Sequence, residues 1–497
     1  MGFLMANLLL QFYSRKIFLD YLGTEVLGLN TTAQNILQFL NLAELGIGTA
    51  VGFSLYKPLA DDDRNAINEI IALQGHLYRR IALGIIAGAA VISAFFPWIF
   101  GKMQLPLWYA YGSFGALLLS SLLGYFVNFR QVVLTSAQMD YKVQYSVNSW
   151  TLVKIAAQIA TLSLLPHPYE WWLALEVVFA VIAALTLRHV TRRNFPYLNG
   201  RGLVYRDLRE RYGVIITKIK QVFIHRIGSF ALANTSTLVI YATSTLTEVA
   251  LYGNYIIIIT GITRVSQAMF NAMGASIGNL VAEADDDHIF VVFRELLSVR
   301  YVFAAVAVFS VLTGTQPFIC LWIGEEYLLP GSTLAIIAAT LFVSMSRGTV
   351  DQYLNAYGLF SDVWAPLVEA VLNIGLSILL GILYGLNGIL CGVLISLLVV
   401  VTGWKPYFLF SRGLHRSLWL FWRDTALHLA TAAVTGAATW HFCEPFFPDP
   451  YSGWGGLALY SLGLTAIFTA AMSLLLCGAR AGILAFFRRM SGMATHH

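Results

Sequence analysis

The second half of this chain repeats the landmarks of the first at one spacing. The triplet Asp61, Asp62 and Asp63, within LYKPLADDDRNAI, has its counterpart in Asp285, Asp286 and Asp287 of LVAEADDDHIFV, 224 residues on. Upstream, TEVLGLN from Thr24 is answered by TEVALYGN from Thr247, and downstream FPWIFG from Phe96 is answered by ICLWIG from Ile319, each about 223 residues on. Each match alone is weak in apolar, glycine-rich sequence, but three at nearly one offset point to duplication. A membrane chain made of two similar halves has a seam between them, and transporters of this kind place their substrate there.

Of the 497 residues, 58% are hydrophobic and 11% are charged. A soluble domain carries roughly 25% charged residues, so this composition belongs in a bilayer. A helical span needs about 20 predominantly apolar residues. Fourteen stretches qualify: 3–22, 31–55, 81–100, 107–134, 146–165, 172–190, 221–245, 251–280, 299–319, 332–357, 365–384, 388–410, 424–442 and 456–478. The first carries Arg15 and Lys16 and no small-residue cleavage site, so it reads as a span rather than a signal peptide.

Of the 31 lysines and arginines, only Lys102 falls in an outer loop. Six are read as lying in the membrane interior (Arg15, Lys16, Lys154, Arg226, Arg264 and Arg347), and the other 24, those at span ends included, on one side. The positive-inside rule puts that side, and both termini, in the cytoplasm. The net charge of +5 therefore reports topology rather than nucleic-acid binding. The four cysteines, Cys320, Cys391, Cys443 and Cys477, lack metal-ligand spacing. Cys320 and Cys443 both fall near the outer face, where a disulfide and two separate thiols are both open.

The expected class is an all-α integral membrane protein of about 14 transmembrane helices. It divides into an N-terminal six-helix lobe (1–190), a basic cytoplasmic linker (191–220), a C-terminal six-helix lobe (221–415) and two additional helices (416–497). Six spans per half give both halves one orientation, so the pseudo-twofold axis runs along the membrane normal. The linker reads either as a topology anchor or as a contact for anionic head groups or a lipid-borne phosphate.

Polar residues recur at helical spacing inside several spans. A charge at mid-bilayer costs roughly 2.5–3.5 kcal/mol, so such faces look toward protein or water. Asn7, Gln11 and Arg15 share a face of the first span, and Gln34, Gln38, Asn41 and Glu44 share one of the second. In the seventh span Arg226, Ser229 and Thr237 align, with His225 adjacent; in the eighth, Thr260, Arg264, Gln267 and Asn271 align. These stripes read as a water-filled cationic cavity in which Arg15, Arg226 and Arg264 offer guanidinium forks to phosphate or another anion. Interhelical hydrogen bonding is the competing account of the same residues.

Other charges read as pairs. Arg347 and Asp351 stand four apart, and Lys154 and Glu176 lie on neighbouring spans. Glu44, His225 and Glu369, with those pairs, are the candidates for coupling or gating; a buried carboxylate such as Glu369 either binds H+ or Na+ or is a satisfied structural group. The Asp triplets read as helix caps. No metal site and no cofactor are expected.

The chain resembles the polysaccharide-transporter branch of the MOP superfamily, the Wzx-type flippases of lipid-linked oligosaccharides. The resemblance is concentrated in SRKIFLDYLGTEVLGLN from Ser14 and FLNLAELGIGTAVGFSLYKPLADDD from Phe39, with weaker echoes in NAYGLFSDVWAPLVEAVLN from Asn355 and LNGILCG from Leu386. It implies a flippase of a bacterial inner membrane. The implied substrate is a polyprenyl-pyrophosphate-linked oligosaccharide, an O-antigen, capsule or exopolysaccharide unit, moved to the outer leaflet by alternating access. It also implies an arginine-held pyrophosphate and, as partners, the bilayer and the polysaccharide polymerase and chain-length machinery.

Rival readings are a lipid II or drug exporter of the same superfamily, a membrane-embedded glycan ligase or transferase, and a structural partner in an export complex. A cation exporter calls for acidic cavity residues, whereas the excess here is basic. A ligase calls for catalytic residues in a long outer loop, and the outer loops are short, with Glu25, Glu170 and Glu325 as their few candidates. The chain is read as a monomer and not as an enzyme.

Overall fold

The computed structural model describes residues 2–44, 46–198, 203–271, 273–359, 362 and 364–478, and there is no strand among them. The chain falls into two compact units, Met1–Ala250 and Leu251–His497.

The N-terminal unit runs through α1 (Gly2–Leu40), a 3-10 turn at Asn41–Glu44, α2 (Ile47–Ala60), α3 (Arg64–Ala94), α4 (Phe96–Ile99), α5 (Trp108–Phe126), α6 (Gln131–Ser136), α7 (Asp140–Leu164), α8 (Pro168–Asn194), α9 (Tyr205–Arg211) and α10 (Gly213–Thr243). Next comes α11 (Leu246–Asn271), in which the unit boundary falls. The C-terminal unit continues with α12 (Gly274–Glu283), α13 (Asp286–Ile323), α14 (Gly331–Ser346), α15 (Gly348–Ala356) and α16 (Trp364–Leu397). It closes with α17 (Lys405–Leu409), α18 (Leu418–Cys443) and α19 (Trp454–Gly478).

Two glycines hide turns inside long helices. Gly23 takes φ 79° within α1, and Gly385 takes φ 59° within α16, conformations open to a residue without Cβ. TEVLGLN, expected as a connection between spans, is therefore helical. A one-residue turn at Gly23 makes the loop unnecessary, and its counterpart TEVALYGN likewise opens α11. The second turn folds α16 back on itself, because Ser377 Oγ donates to the carbonyl of Ile389 at 3.1 Å. Residues 364–414 are thus two arms rather than one rod of about 75 Å.

Seven helical stretches among the described residues are long and apolar enough to cross a membrane. With the more polar helices of similar length added, and α1 and α16 divided at their turns, the described passes number fourteen. Each repeat contributes six in the same order, including a second pass broken near its middle, at Asn41–Glu44 in one and at the turn residue Met273 in the other. The Asp triplets follow those passes. Asp63 caps α3 through Oδ1, which accepts from Ala66 N at 2.9 Å, and Asp285 stands at the cap of α13.

The division into units does not follow the linker. α10, the first pass of the second repeat, packs against α1 and α2 and belongs to the N-terminal unit. The last two helices, which have no counterpart in the repeat, lie on α13: Phe309 stacks on Phe468 at 4.4 Å, and Ser310 meets Thr465 at 3.0 Å. Cys320, Cys391 and Cys443 are free thiols.

The hairpin in α16 makes a direct prediction. A Cβ at Gly392 would stand 2.5 Å from the backbone nitrogen of Ser377, whereas one at Gly375 would meet nothing within 4 Å. Overpacking costs about 1–3 kcal/mol. Gly392→Ala is expected to lower the melting temperature of the detergent-solubilised protein and Gly375→Ala to hold or raise it. Equal melting of the two variants would count against the turn at Gly385.

Candidate functional site

The expected polar stripes meet different fates. On α1, Gln11 and Lys16 are exposed, while Arg15 is half-buried and its Nη2 donates to the carbonyl of Ala250 at 3.3 Å. Arg15 is thus engaged with backbone, not simply presented to a ligand. Gln34 is exposed and Gln38 partly so.

The last two members of that stripe turn inward. Asn41 Nδ2 donates to Ser121 Oγ at 3.1 Å. Glu44 accepts from Tyr78 Oη at 3.1 Å and Tyr125 Oη at 2.7 Å, so its carboxylate is tied to α3 and α5. The cause is local. The chain tightens to a 3-10 turn at Asn41–Glu44 and then passes Gly46 with φ 98°, which breaks the register that the spacing assumed. Asn41 and Glu44 therefore satisfy the inside of the N-terminal bundle. A hydrogen bond to a charged group contributes about 1.5–3 kcal/mol. Tyr125→Phe, which leaves Glu44 one tyrosine hydroxyl, is expected to lose about 1–2 kcal/mol of stability in a thermal melt. An unchanged midpoint would remove Glu44 from the bundle's framework.

Asn30 forms a second knot that periodicity did not single out. Its Oδ1 accepts from Ser113 Oγ and, at 3.1 Å, from Tyr169 Oη. Between α7 and α8, Lys154 Nζ reaches Glu176 Oε1 at 2.8 Å and Oε2 at 2.9 Å, and Gln158 adds a donor at 3.2 Å. Both carboxylate oxygens are then engaged, as a carboxylate inside a helical bundle requires.

In the C-terminal unit, Arg347 stands at the joint between α14 and α15. Its Nε meets Asp351 Oδ2 at 2.8 Å, and its Nη1 lies 3.8 Å from Glu369 Oε1 on α16. Lys405, from α17, completes the group at 2.8 Å from Asp351 Oδ1. Two cations and two anions thus close a neutral network. Pro406 follows Lys405 and lacks the N–H that would continue an α ladder. The helix takes π register on both sides of α17, at Leu398–Trp404 and Phe410–Leu414.

The exposed polar face lies on α11. Arg264 and Gln267, three residues apart, are both exposed, and no carboxylate among the described residues pairs with Arg264. The side chains of Asn7, His225, Arg226 and Asn271 lie outside the described residues. The structure thus keeps Gln11, Arg264 and Gln267 at a surface and draws Asn41, Glu44, Lys154, Glu176, Arg347, Asp351 and Glu369 into internal networks.

Two groups escaped the sequence reading, and a third was read only in part. Arg294 Nε meets Asp424 Oδ2 at 2.5 Å, which fastens α18 to α13, and Arg423 Nη2, on α18 itself, meets Asp424 Oδ1 at 3.0 Å. Arg300 is 7% exposed, lies over the Phe270 ring at 4.1 Å and donates to Gln352 at 3.1 Å. The third is a set of arginines at one end of the N-terminal unit, described below. No spacing marks the first two; for the third, the basic linker reads as a contact for anionic head groups or a lipid-borne phosphate, but Arg79 and Arg130 are not part of that reading.

No protein-family model matches the chain, and no curated protein matches it. Solved structures do. The chain is similar to a structure described as lipid II flippase MurJ in an inward closed conformation, with TM-score 0.66 and 13% identity over 96% of this chain and 99% of that one. It is also similar to a multidrug resistance MATE family transporter of the MOP superfamily in an inward-facing conformation, with TM-score 0.59 and 14% identity over 85% of this chain and 94% of that one. The chain therefore shares the all-α membrane fold of these two structures.

Proposed function

We propose that this chain is a transporter of a bacterial inner membrane, with both termini cytoplasmic. Its cargo is a polyprenyl-pyrophosphate-linked oligosaccharide, which it moves from the inner to the outer leaflet by alternating access. The fold supports a transporter, since a lipid II flippase and a multidrug transporter share it. The observation that carries the substrate class is Arg264: a guanidinium on the exposed face of an apolar helix, with no carboxylate partner among the described residues. In hydrocarbon that placement costs about 2.5–3.5 kcal/mol, so the face must meet water or an anion. A pyrophosphate offers the guanidinium fork two acceptors at once. A cationic drug would call for a carboxylate where Arg264 stands. Lipid II carries the same pyrophosphate, so the charge reads the anchor rather than the sugar.

The test is a reconstituted flipping assay. Vesicles holding the purified protein are loaded with a fluorescent polyprenyl-pyrophosphate disaccharide, and the label on the outer leaflet is bleached with dithionite. Protein-containing vesicles are expected to expose the inner pool faster than empty ones, and a fluorescent phosphatidylcholine is expected not to move. Equal rates with and without protein would reject the proposal, and equal flipping of both probes would make the protein a general scramblase.

A further inference from the structure

At the end of the N-terminal unit where α5 gives way to α6 and α8 to the linker, basic residues converge from three elements. Arg130, in the turn between α5 and α6, is half-buried. Together with His76 and Arg79 of α3 it lines a cavity of about 100 Å³ walled by Phe129, Leu198 and Leu203. That is well above the ~10–15 Å³ needed to hold one water. Arg130 also lines a smaller neighbouring cavity with Arg188 and Arg192, which stand four residues apart on one face of α8.

No carboxylate among the described residues pairs with any of the four arginines. Arg130 shares one cavity with Arg79 and the other with Arg188 and Arg192, so the four charges stand close together. Like charges held together with no counterion repel, and an anion between them removes that cost. Their opposite numbers elsewhere in this unit are paired: Arg211 meets Glu69 at 2.7 Å, and Lys154 meets Glu176 at 2.8 Å. Leu198 and Leu203 form one wall, and described residues around them are fastened in place. His76 Nε2 lies 3.2 Å from the carbonyl of Leu203, the Arg80 guanidinium lies 3.9 Å over the Tyr205 ring, and Tyr212 Oη donates to Glu69 at 2.8 Å.

We infer that this cavity binds a phosphate or diphosphate group, supplied either by a head group of the surrounding bilayer or by a diphosphate brought from elsewhere. The site is separate from the α11 face, and its existence does not depend on transport.

The test titrates inorganic pyrophosphate into the purified full chain in phosphatidylcholine nanodiscs, followed by calorimetry. It is repeated on Arg264→Ala so that an anion held on α11 is not counted. Saturable binding is expected, weakened about tenfold or more by Arg79→Gln and by Arg130→Gln and unchanged by Arg412→Gln, an exposed cation of the other unit. Should Arg130→Gln fail to fold, the exposed Arg79 decides alone. In nanodiscs doped with phosphatidylglycerol, weaker pyrophosphate binding identifies a bilayer head group as the occupant, and unchanged binding identifies a free or carried diphosphate. Absence of saturable binding, or equal weakening by Arg412→Gln, overturns the inference.

Discussion

Arg264→Ala is expected to slow flipping of a pyrophosphate-linked lipid by about 10- to 100-fold and to leave the melting temperature where it was. A hydrogen bond to a charged group is worth about 1.5–3 kcal/mol, and each 1.4 kcal/mol is about tenfold. Arg264 is exposed and has no carboxylate partner among the described residues, so its removal breaks no internal pair. Substitutions of that kind stay within about 0.5 kcal/mol in stability. Arg264→Lys keeps the charge and loses the planar fork, so its rate should fall between wild type and alanine. Flipping at the wild-type rate in Arg264→Ala would exclude the α11 face as the anion site. A large drop in melting temperature would instead make Arg264 structural.

The second large effect is on stability. Asp351 holds Arg347 and Lys405 together, each at 2.8 Å. Asp351→Ala leaves both cations in the bundle, with only Glu369 at 3.8 Å from Arg347 to offset them. Breaking a buried pair costs about 3–5 kcal/mol. The Asp351 side chain is 29% exposed, so the lower end of that range applies. A fall of several degrees in melting temperature is expected. Asp351→Ala combined with Lys405→Met should recover much of it, since coupling within one network makes the two changes non-additive. A single variant that melts like wild type, or a pair whose effects simply add, would dissolve the network.

What the sequence revealed and what it concealed divide along one physical line. Features set by neighbouring residues were legible. The Asp triplets and the Thr-Glu-Val motifs mark equivalent places in the two repeats because each stands beside a turn: Gly23 before one motif and Ser244 before the other. The Arg347–Asp351 pair follows from spacing along the helix. Features set by packing between distant segments were not. Lys405 reaches Asp351 across 54 residues, and Arg294 reaches Asp424 across 130. Helical spacing also assumes an unbroken helix. The 3-10 turn at Asn41–Glu44 violates that assumption, and two residues assigned to an open polar face became internal ties. The basic cavity was legible only in part, through the linker's charge: its arginines come from a turn and two helices, and only the fold brings Arg79, Arg130, Arg188 and Arg192 to one end of the unit.

The most direct test is the distribution of lipid-linked oligosaccharide between leaflets in a strain lacking this protein, complemented with wild type or with Arg264→Ala. Completed units should accumulate on the cytoplasmic leaflet of the deletion strain, clear with wild type, and persist with Arg264→Ala at equal expression. Units that reach the outer leaflet without the protein, in a strain with no second flippase, would contradict a role in flipping.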